Sequence, residues 1–303
     1  MNLTAAEYGA EKKRPEMGAL VAAMILLQIL DALCFPVTRY GTQIIEPFTF
    51  AFYRFVISSV VLLVIVRSRG PYLPIARRDW WRIITLAILI IPGNQMLYMF
   101  GQSMTGAGHG AFLFATAPVW IFILAIIHLK EPLLPRRVIG IIVAFGGVLL
   151  LMLADGAEIS AEYLKGDIII VIAVLAWSYY TILGKPLVEK YGALRMTAYA
   201  LAIGSALYFP FGFYRALYFD YSQTTVGAWG AVAFMALGMS VGLYVLWYWV
   251  LKYMEASRLA IWHNFYPIIA AAVAYFVLGE PLSIWFVFGG VAVLVGVIIT
   301  EVK

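Results

Sequence analysis

The chain has 303 residues, of which 64% are apolar and only 12% are charged. Soluble domains average about 45–50% apolar and about 25% charged residues, so the composition excludes a water-soluble globular protein and indicates a chain that lies in lipid. The formal net charge of +5 by itself would suit a nucleic-acid binder, and the single cysteine excludes an intramolecular disulfide.

Ten apolar stretches follow one another along the chain after a short polar tail at residues 1–16. A membrane-spanning helix needs about 20 mostly apolar residues, and each stretch is of that order. The joins between them are short and rich in Pro and Gly, so no soluble domain is attached. We predict an all-α polytopic membrane protein with spans at 17–38, 48–66, 83–101, 109–128, 135–154, 167–184, 194–214, 226–250, 257–278 and 283–300.

The basic residues fall almost entirely on one side of the predicted membrane. Of the 21 lysines and arginines, 17 lie in the N-terminal tail, in every second join or at the C-terminal end. Cytoplasmic segments carry such an excess. We therefore predict a multi-pass protein of the plasma (inner) membrane with both termini cytoplasmic. The lipid bilayer thus accounts for the positive charge, and a nucleic-acid partner is not expected.

The pentapeptide LKEPL at 129–133 recurs as LGEPL at 278–282, which is 149 positions later. With that shift, 11 of 43 residues are identical between 109–151 and 258–300, and the identities include Pro, Gly and Glu rather than apolar residues alone. We predict a duplication, with repeats at 17–154 and 155–303. Each repeat holds five spans, an odd number, so the second repeat enters the membrane from the opposite side.

Two inverted five-helix repeats are typical of secondary transporters, in which a site near the bilayer midplane faces each side in turn. The expected partner is a small-molecule substrate, with protons as a candidate coupling ion and either a monomer or a homodimer as the assembly. No cofactor, metal site or catalytic residue is expected, and no phosphate-binding loop of an ATPase occurs in the sequence. The glutamates of the two pentapeptides, Glu131 and Glu280, are expected to cap the helix that follows each.

The repeat pattern resembles that of the EamA family of the drug/metabolite transporter superfamily, and the likeness covers nearly the whole chain. An arginine early in the second span, Arg54, also fits that family, although Ala202 stands near the corresponding place in the second repeat. The resemblance implies a ten-helix transporter of small metabolites with a central cavity, often an exporter and in some members an amino-acid exporter. It is carried by these residues of each repeat: Pro118, Glu131, Gly140 and Gly147, and Pro267, Glu280, Gly289 and Gly296.

Ionisable residues inside spans are costly and are candidates for function. Asp31 and Arg54 lie about 10 Å deep from the same side of the membrane at about 1.5 Å per residue, so we expect an ion pair between them. Such a pair either holds the two spans together or forms an outer gate or anchor for a substrate charge. His263 is expected about 9 Å from the cytoplasmic end, as a packing histidine or as a substrate or proton site.

Polar and aromatic side chains near the middle of the spans are the candidate lining of the cavity. Each aromatic ring alone is equally compatible with helix packing, but the group together favours a site for an amphipathic or aromatic solute. Pro118 and Pro267 fall near midspan in repeat-related helices and are expected to act as hinges. The candidate substrate-binding residues are Asn94, Gln95, Tyr98, Trp177, Tyr180, Tyr244, Trp247, His263 and Tyr266.

Three alternatives stay open at this point. The stretch GMSVG at 238–242 fits the G-x-S-x-G pattern of serine hydrolases, with Ser240 and His263 at similar predicted depth, which allows an intramembrane serine hydrolase. A receptor-like membrane protein is a second alternative. The third is a facilitative transporter of another solute class, such as quaternary amines or nucleotide-linked metabolites. The favoured hypothesis is a carrier that moves an amino acid or a related amine, most plausibly outward, by alternating access.

Overall fold

The computed structural model describes residues 15–70, 72–104, 113–154, 164–265, 269 and 284–301. All the elements assigned within these ranges are helical. Two segments of the π type, in which the helical turn is wider, continue directly from the helices that precede them. The helices are α1 (Met17–Ile44), α2 (Pro47–Ser68), α3 (Arg77–Ile88), α4 (Leu97–Gln102), α5 (Ala117–Leu129), α6 (Pro135–Ala154), α7 (Leu164–Tyr191), α8 (Ala193–Leu217), α9 (Val226–Phe234), α10 (Tyr244–Tyr253), α11 (Ala256–His263) and α12 (Ile284–Glu301), with a short 3₁₀ turn at Tyr221–Gln223.

Six of the described helical stretches are long and apolar enough to cross a membrane. Two shorter apolar helices, Ala117–Leu129 and Phe288–Thr300, accompany them. The all-helical, membrane-spanning fold expected from composition is therefore confirmed, whereas the count of ten spans stays a prediction. The six stretches are Met17–Thr42, Pro47–Ser68, Arg77–Gln102, Leu164–Tyr191, Ala193–Leu217 and Val226–Tyr253.

The first π segment (Leu89–Met96) joins α3 to α4, and the second π segment (Met235–Leu243) joins α9 to α10. Pro92 has no N–H to donate, and a Cβ on Gly93 would lie 3.0 Å from the carbonyl oxygen of Ile88, so the chain is tightly packed on itself at this point. Gly93 corresponds to Gly242 of the second π segment under the shift of 149 residues. The same widened turn thus occurs at matching places, and π segments are frequent at functional sites.

Helices α6 and α12 pack antiparallel through glycines that bring their backbones into close contact. A Cβ on Gly140 would lie 2.6 Å from the carbonyl oxygen of Gly296, and a Cβ on Gly147 would lie 2.6 Å from that of Gly289. Small residues of this kind allow helices to approach closely in membranes, where no hydrophobic force drives helix association. These glycines therefore serve the close packing of α6 against α12.

Helices α2 and α8 form a second antiparallel pair. Ser59 and Ser205 share a hydrogen bond of 2.8 Å near its middle, and the ring of Phe55 meets that of Tyr208 edge-on at 5.8 Å between centroids. At the end of the pair where α2 begins, Arg215 Nη2 lies 2.8 Å from Glu46 Oε1. Glu46 also caps α2 by accepting a hydrogen bond of 2.9 Å from Thr49 N.

Charged contacts gather at the opposite end of the bundle. Asp79 near the start of α3 accepts hydrogen bonds from Lys190 Nζ and the hydroxyl of Tyr191, at 2.6 and 2.7 Å, both from the last turn of α7. Lys185 lies 3.6 Å from Glu131 in the loop after α5 and donates a hydrogen bond of 2.8 Å to Met254 O after α10. Loops and helix ends from both halves of the sequence therefore meet at this end.

Glu131 caps a helix, as expected, but not the helix that follows it in the chain. Its carboxylate accepts hydrogen bonds from Ala256 N at 2.7 Å and from Ser257 N at 3.2 Å, both in the first turn of α11. The expected partner, α6, was wrong because Glu131 lies in a loop that faces the other half of the chain. Glu280 lies outside the described residues.

Pro118 occupies the first turn of α5, which begins at Ala117 after a turn at 115–116. Residues 113–114 before this turn are also helical, and the hinge predicted at Pro118 stays a prediction. Proline suits a first helical turn because its missing N–H has no partner there in any case. Pro267 lies outside the described residues.

Candidate functional site

Five aromatic side chains of α7 and α10 form a buried group, here called the aromatic cluster: Trp177, Tyr180, Tyr244, Trp247 and Tyr248. The ring of Trp177 lies 5.7 Å from Tyr180, 5.8 Å from Tyr244 and 5.4 Å from Trp247 between centroids. Tyr180 stacks on Tyr248 at 4.8 Å. The four aromatic residues predicted on these helices as lining residues thus lie together.

Trp247 connects the aromatic cluster to charged groups. Its indole N–H donates to Thr181 Oγ1 at 3.2 Å, and its ring meets His263 edge-on at 5.5 Å. His263 Nδ1 in turn lies 3.1 Å from Asp31 Oδ2 of α1. Asp31 of the first half of the sequence therefore contacts His263 of the second half, next to the aromatic cluster.

Arg54 of α2 lies between the two π segments. Its Nε donates to Ser240 Oγ at 2.8 Å in the second π segment, and its Nη1 donates to Gln95 Oε1 at 3.3 Å in the first. Gln95 Nε2 donates to Asn94 Oδ1 at 2.6 Å, and Asn94 Nδ2 donates to Ala173 O of α7 at 2.9 Å. A continuous chain of hydrogen bonds thus runs from α2 through both π segments to the helix that carries Trp177.

The predicted ion pair between Asp31 and Arg54 is wrong. Asp31 faces His263, and Arg54 is bonded to Ser240 and Gln95. Equal depth on neighbouring helices sets the height of a side chain in the membrane but not the direction in which it points around the helix axis. Both residues do lie at the group of polar and aromatic side chains, each with a partner from the second half of the sequence.

Of the two remaining predicted lining residues, the structure describes Tyr98 and does not describe Tyr266. Tyr98 of α4 packs edge-on against Phe114, with 5.5 Å between ring centroids, rather than within the aromatic cluster. Tyr266 lies outside the described residues. A cavity of about 400 Å³ lies elsewhere, at the end of the α2–α8 pair where Glu46 meets Arg215, and Phe52, Tyr221 and Phe213 contribute to its lining.

Two polar residues of the site were missed in the sequence. Gln28 lies three residues before Asp31 and hence on the same face of α1. Its side chain is only 2% exposed, and neither its amide nitrogen nor its oxygen has a hydrogen-bond partner in the described part of the chain. Thr181, fully buried, accepts the indole N–H of Trp247. The spacing of Gln28 from Asp31 in an otherwise apolar span was the signal that could have identified it.

The hydrolase alternative finds no support in the environment of Ser240. A nucleophilic serine needs a base that takes its proton, whereas the hydroxyl of Ser240 accepts a hydrogen bond from the guanidinium of Arg54, which is always charged and only donates. The segment 238–242 also lies inside a π segment that continues a helix, not in a strand–turn–helix elbow. Within the described ranges, no three His, Cys, Asp or Glu residues lie close enough to hold a metal ion.

Comparisons with known proteins agree with this arrangement of two halves. The sequence profile of the EamA-like transporter family matches the chain twice, over residues 18–153 and 164–302. A protein of Archaeoglobus fulgidus described as an uncharacterized transporter is 28% identical over 92% of this chain and 96% of its own length. The uncharacterized transporter YyaM of Bacillus subtilis is 29% identical over 89% of both chains.

One relative carries a more specific description. The probable terminal-alkyne amino-acid exporter of Streptantibioticus cattleyicolor is 26% identical over 94% of both chains. A solved crystal structure superposes with a TM-score of 0.78 at 16% identity and covers 94% of this chain and 96% of its own, which shows a shared fold. The two profile matches extend over most of the sequence. The chain therefore belongs to the EamA-like transporter family and is a multi-pass integral membrane protein.

Proposed function

We propose that the protein is a secondary carrier that moves a small organic metabolite across the plasma (inner) membrane by alternating access. One observation carries this proposal: two charged side chains inside apolar helices, Asp31 and Arg54, are each bonded to the other half of the chain next to the aromatic cluster. Ionisable groups in spans face the bundle interior and mark solute pathways. A site between two halves that move against each other is what alternating access requires.

The packing of α6 against α12 supports the inverted arrangement of two five-helix repeats, 17–154 and 155–303. A shift of 149 residues carries Gly140 onto Gly289 and Gly147 onto Gly296. The observed contacts are Gly140 with Gly296 and Gly147 with Gly289. Exchanging the halves turns each contact into the other, as expected for two equivalent helices that run in opposite directions about a pseudo-two-fold axis.

Helices α2 and α8 support the same proposal independently. The range 47–68 becomes 196–217 under the shift, which falls within α8. The pair is antiparallel, because Glu46 at the start of α2 meets Arg215 near the end of α8 while Ser59 meets Ser205 in the middle. Two further spans that are equivalent in sequence therefore also run in opposite directions, which is the geometry of inverted repeats in a ten-span protein.

Four charged side chains and one serine are linked at one end of the bundle; we call Glu131, Arg137, Lys185, Glu255 and Ser257 the Glu131 network. Glu131 caps α11, Lys185 lies 3.6 Å from Glu131, and Arg137 forms an ion pair with Glu255. The network ties the loop after α5 and the start of α6 to α11 of the other half. The excess of lysine and arginine supports a cytoplasmic location for this end and for both termini, so we propose that the network is the inner closure and breaks when the site faces inward.

The proposed solute is an amino acid or a related amine, and the proposed direction is export. The aromatic cluster offers large flat apolar surfaces beside Asp31, His263 and Arg54, which suits a small solute that has both an apolar side chain and polar groups. A relative described as a probable amino-acid exporter favours the same class. Protons are the proposed coupling ion, with His263 beside Asp31 as the candidate proton site.

The test is counterflow in proteoliposomes, with a panel of radiolabelled amino acids and their amines measured with and without a proton gradient. We expect flux of at least one probe. We also expect that Trp177→Leu lowers its initial rate about tenfold, the effect of about 1.4 kcal/mol, because three ring contacts of the site are lost. Trp81→Leu is the matched control, since Trp81 is 69% exposed on α3.

Two results would count against the proposal. One is the absence of flux for every probe from protein that is monodisperse and folded. The other is an equal loss of rate in the Trp177 and Trp81 variants, because the aromatic cluster would then have no special part in transport. If a proton gradient had no effect on the rate, protons would not be the coupling ion, but the proposal of a carrier would stand.

A further inference from the structure

We propose that Arg54 binds the carboxylate of the transported solute, so that the carrier selects amino acids and other carboxylates over the corresponding amines and amides. This inference rests on the proposed function and narrows its solute class. Arg54 is the eighth residue of α2, about 10 Å along the helix from its start, and is only 8% exposed. A guanidinium keeps its charge under all physiological conditions, so a full positive charge is held inside the bundle.

The positive charge of Arg54 lacks the partner that such a group normally has. In the ranges that the structure describes, no carboxylate lies within 4.0 Å of its guanidinium, and its acceptors, Ser240 Oγ and Gln95 Oε1, are neutral. A buried charge is costly unless it is paired. An incoming anion that supplies the missing negative charge therefore binds here with a more favourable free energy than at an exposed arginine.

Other arginines of the protein show what partners this chain normally supplies. Arg215 lies 2.8 Å from Glu46, and Arg137 forms an ion pair with Glu255. Arg195, also 8% exposed, lies over three tyrosine rings and donates to the carbonyl oxygen of Leu73. The guanidinium carbon of Arg54 also lies over one ring, 5.2 Å from the centroid of Phe55. Its hydrogen-bond acceptors, however, are two neutral side chains at the place where the two halves of the chain meet.

The shape of the guanidinium suits a carboxylate. It has five N–H donors in one plane, and the bonds to Ser240 and Gln95 use two of them. Arginine and carboxylate pair through two parallel hydrogen bonds, which fixes direction as well as distance. Ser240 and Gln95 hold the plane in position from the two π segments, so the guanidinium is oriented before the solute arrives.

Groups that would complement the rest of an amino acid lie near Arg54. Tyr244 directly follows the second π segment, which holds Ser240, and its ring is 5.8 Å from that of Trp177. Asp31 lies at the other side of the aromatic cluster, 3.1 Å from His263, whose ring meets that of Trp247. A zwitterion with its carboxylate on Arg54 therefore directs its ammonium towards Asp31 and its side chain towards the aromatic cluster. The buried amide of Gln28, three residues before Asp31, offers a donor and an acceptor that no described protein group uses.

A purely structural Arg54 makes a different prediction. If the arginine served only to join the two π segments, its loss would weaken binding of every solute alike and would lower stability. If Arg54 instead recognises a carboxylate, its loss weakens the binding of solutes that carry a carboxylate more than the binding of solutes that do not. The experiment therefore compares probes that differ only in that group within the same variant, so that a general defect affects both probes equally.

The probes are L-phenylalanine, L-leucine and L-glutamine, each with its primary amide, in which a neutral carboxamide replaces the carboxylate. Apparent affinities come from thermal shifts of the purified protein and from competition in counterflow. We expect wild type to prefer at least one acid over its amide by about tenfold or more, the usual effect of a hydrogen bond to a charged group. Arg54→Gln is expected to reduce this preference to about twofold or less, with Arg54→Lys between the two.

Arg39→Gln is the control, because it removes an exposed arginine of α1 outside the site and is expected to keep the wild-type preference. The inference is overturned if wild type binds every amide as tightly as its acid, or if Arg54→Gln keeps the preference. Should Arg54→Gln not fold, an unchanged preference in Arg54→Lys overturns it as well. An equal loss of acid and amide transport in Arg54→Gln would contradict the inference alone, whereas no binding or flux of any probe would contradict the proposed amino-acid substrate too.

Discussion

Asp31 and Arg54 bring ionisable groups into apolar helices, and each has a partner in the second half of the sequence. Asp31 and Arg54 were identified because charge is rare in apolar spans, and both lie at the candidate site. The partner predicted for each was wrong. The position of a residue in the sequence gives its height in the membrane, but it does not give the direction in which its side chain points around the helix axis. The neighbour is decided by the packing of distant helices, and the contacts to His263 and Ser240 join residues more than 180 positions apart.

For Glu131, which lies in a loop, the role was also predictable and the partner was not. Its role as a helix cap was predictable, since an oxygen acceptor satisfies the N–H groups that a first helical turn leaves open. Its actual partner, α11, depends on how the two halves meet. Because this cap joins the halves, its removal should affect the stability of the whole protein and not only one helix.

Glu131→Ala is therefore expected to lower the free energy of unfolding by about 1–2 kcal/mol, the usual effect of losing a cap, with a lower thermal unfolding temperature in detergent. Glu131→Gln, which keeps one oxygen acceptor, should lose less. Glu189→Ala is the control, because Glu189 is an exposed carboxylate of α7 with no described hydrogen bond or ion pair. Equal unfolding temperatures for Glu131→Ala and Glu189→Ala would show that the cap does not stabilise the fold.

At the scale of helices, the lengths of the apolar stretches and the Pro- and Gly-rich joins between them predicted most helices. They did not predict where a helix widens into a π segment. Pro92 and Gly93, residues that disfavour a regular helix, lie in the third predicted span, and the structure has the first π segment there. The second π segment was read as an ordinary span, because it contains no proline. Its widened turn is evident only from the structure and from its correspondence with the first through Gly93 and Gly242.

The glycines of α6 give an element-scale test with a neighbouring control. A Cβ on Gly147 would lie 2.6 Å from the carbonyl oxygen of Gly289 and 2.8 Å from Val293 N, both backbone atoms that cannot move aside cheaply. A Cβ on Gly146 would meet nothing within 4 Å. We expect Gly147→Ala to destabilise the protein by about 1–3 kcal/mol, the usual effect of overpacking.

Gly146→Ala should be neutral or stabilising by up to about 1 kcal/mol, because alanine is the better helix former. Thermal unfolding of the two purified variants in the same detergent gives the comparison. If Gly147→Ala were as stable as Gly146→Ala, the close antiparallel approach of α6 and α12 would not exist in the membrane, and one of the two supports for inverted repeats would be lost.

At the scale of the whole molecule, the duplication was predictable because a shift of 149 residues aligns Pro, Gly and Glu, which composition alone does not align. The family profile matches the chain twice, in agreement with a duplication. The proposed inverted orientation rests on the predicted odd number of spans in each repeat together with the distribution of lysines and arginines. The contacts of the Glu131 network, on which the proposed inner closure rests, could not be predicted from the sequence, because they join loops and helix ends that are distant in the chain.

The orientation of the two repeats can be measured directly with two single-cysteine proteins. Leu133 and Leu282 are equivalent under the shift, and the only native cysteine, Cys34, is first replaced by serine. The variants Leu133→Cys and Leu282→Cys are then exposed, in right-side-out vesicles, to a maleimide that does not cross the membrane. Inverted repeats predict that Cys at 282 reacts at once and Cys at 133 only after the vesicles are permeabilised; reaction of both from the same side would contradict two halves that face opposite ways.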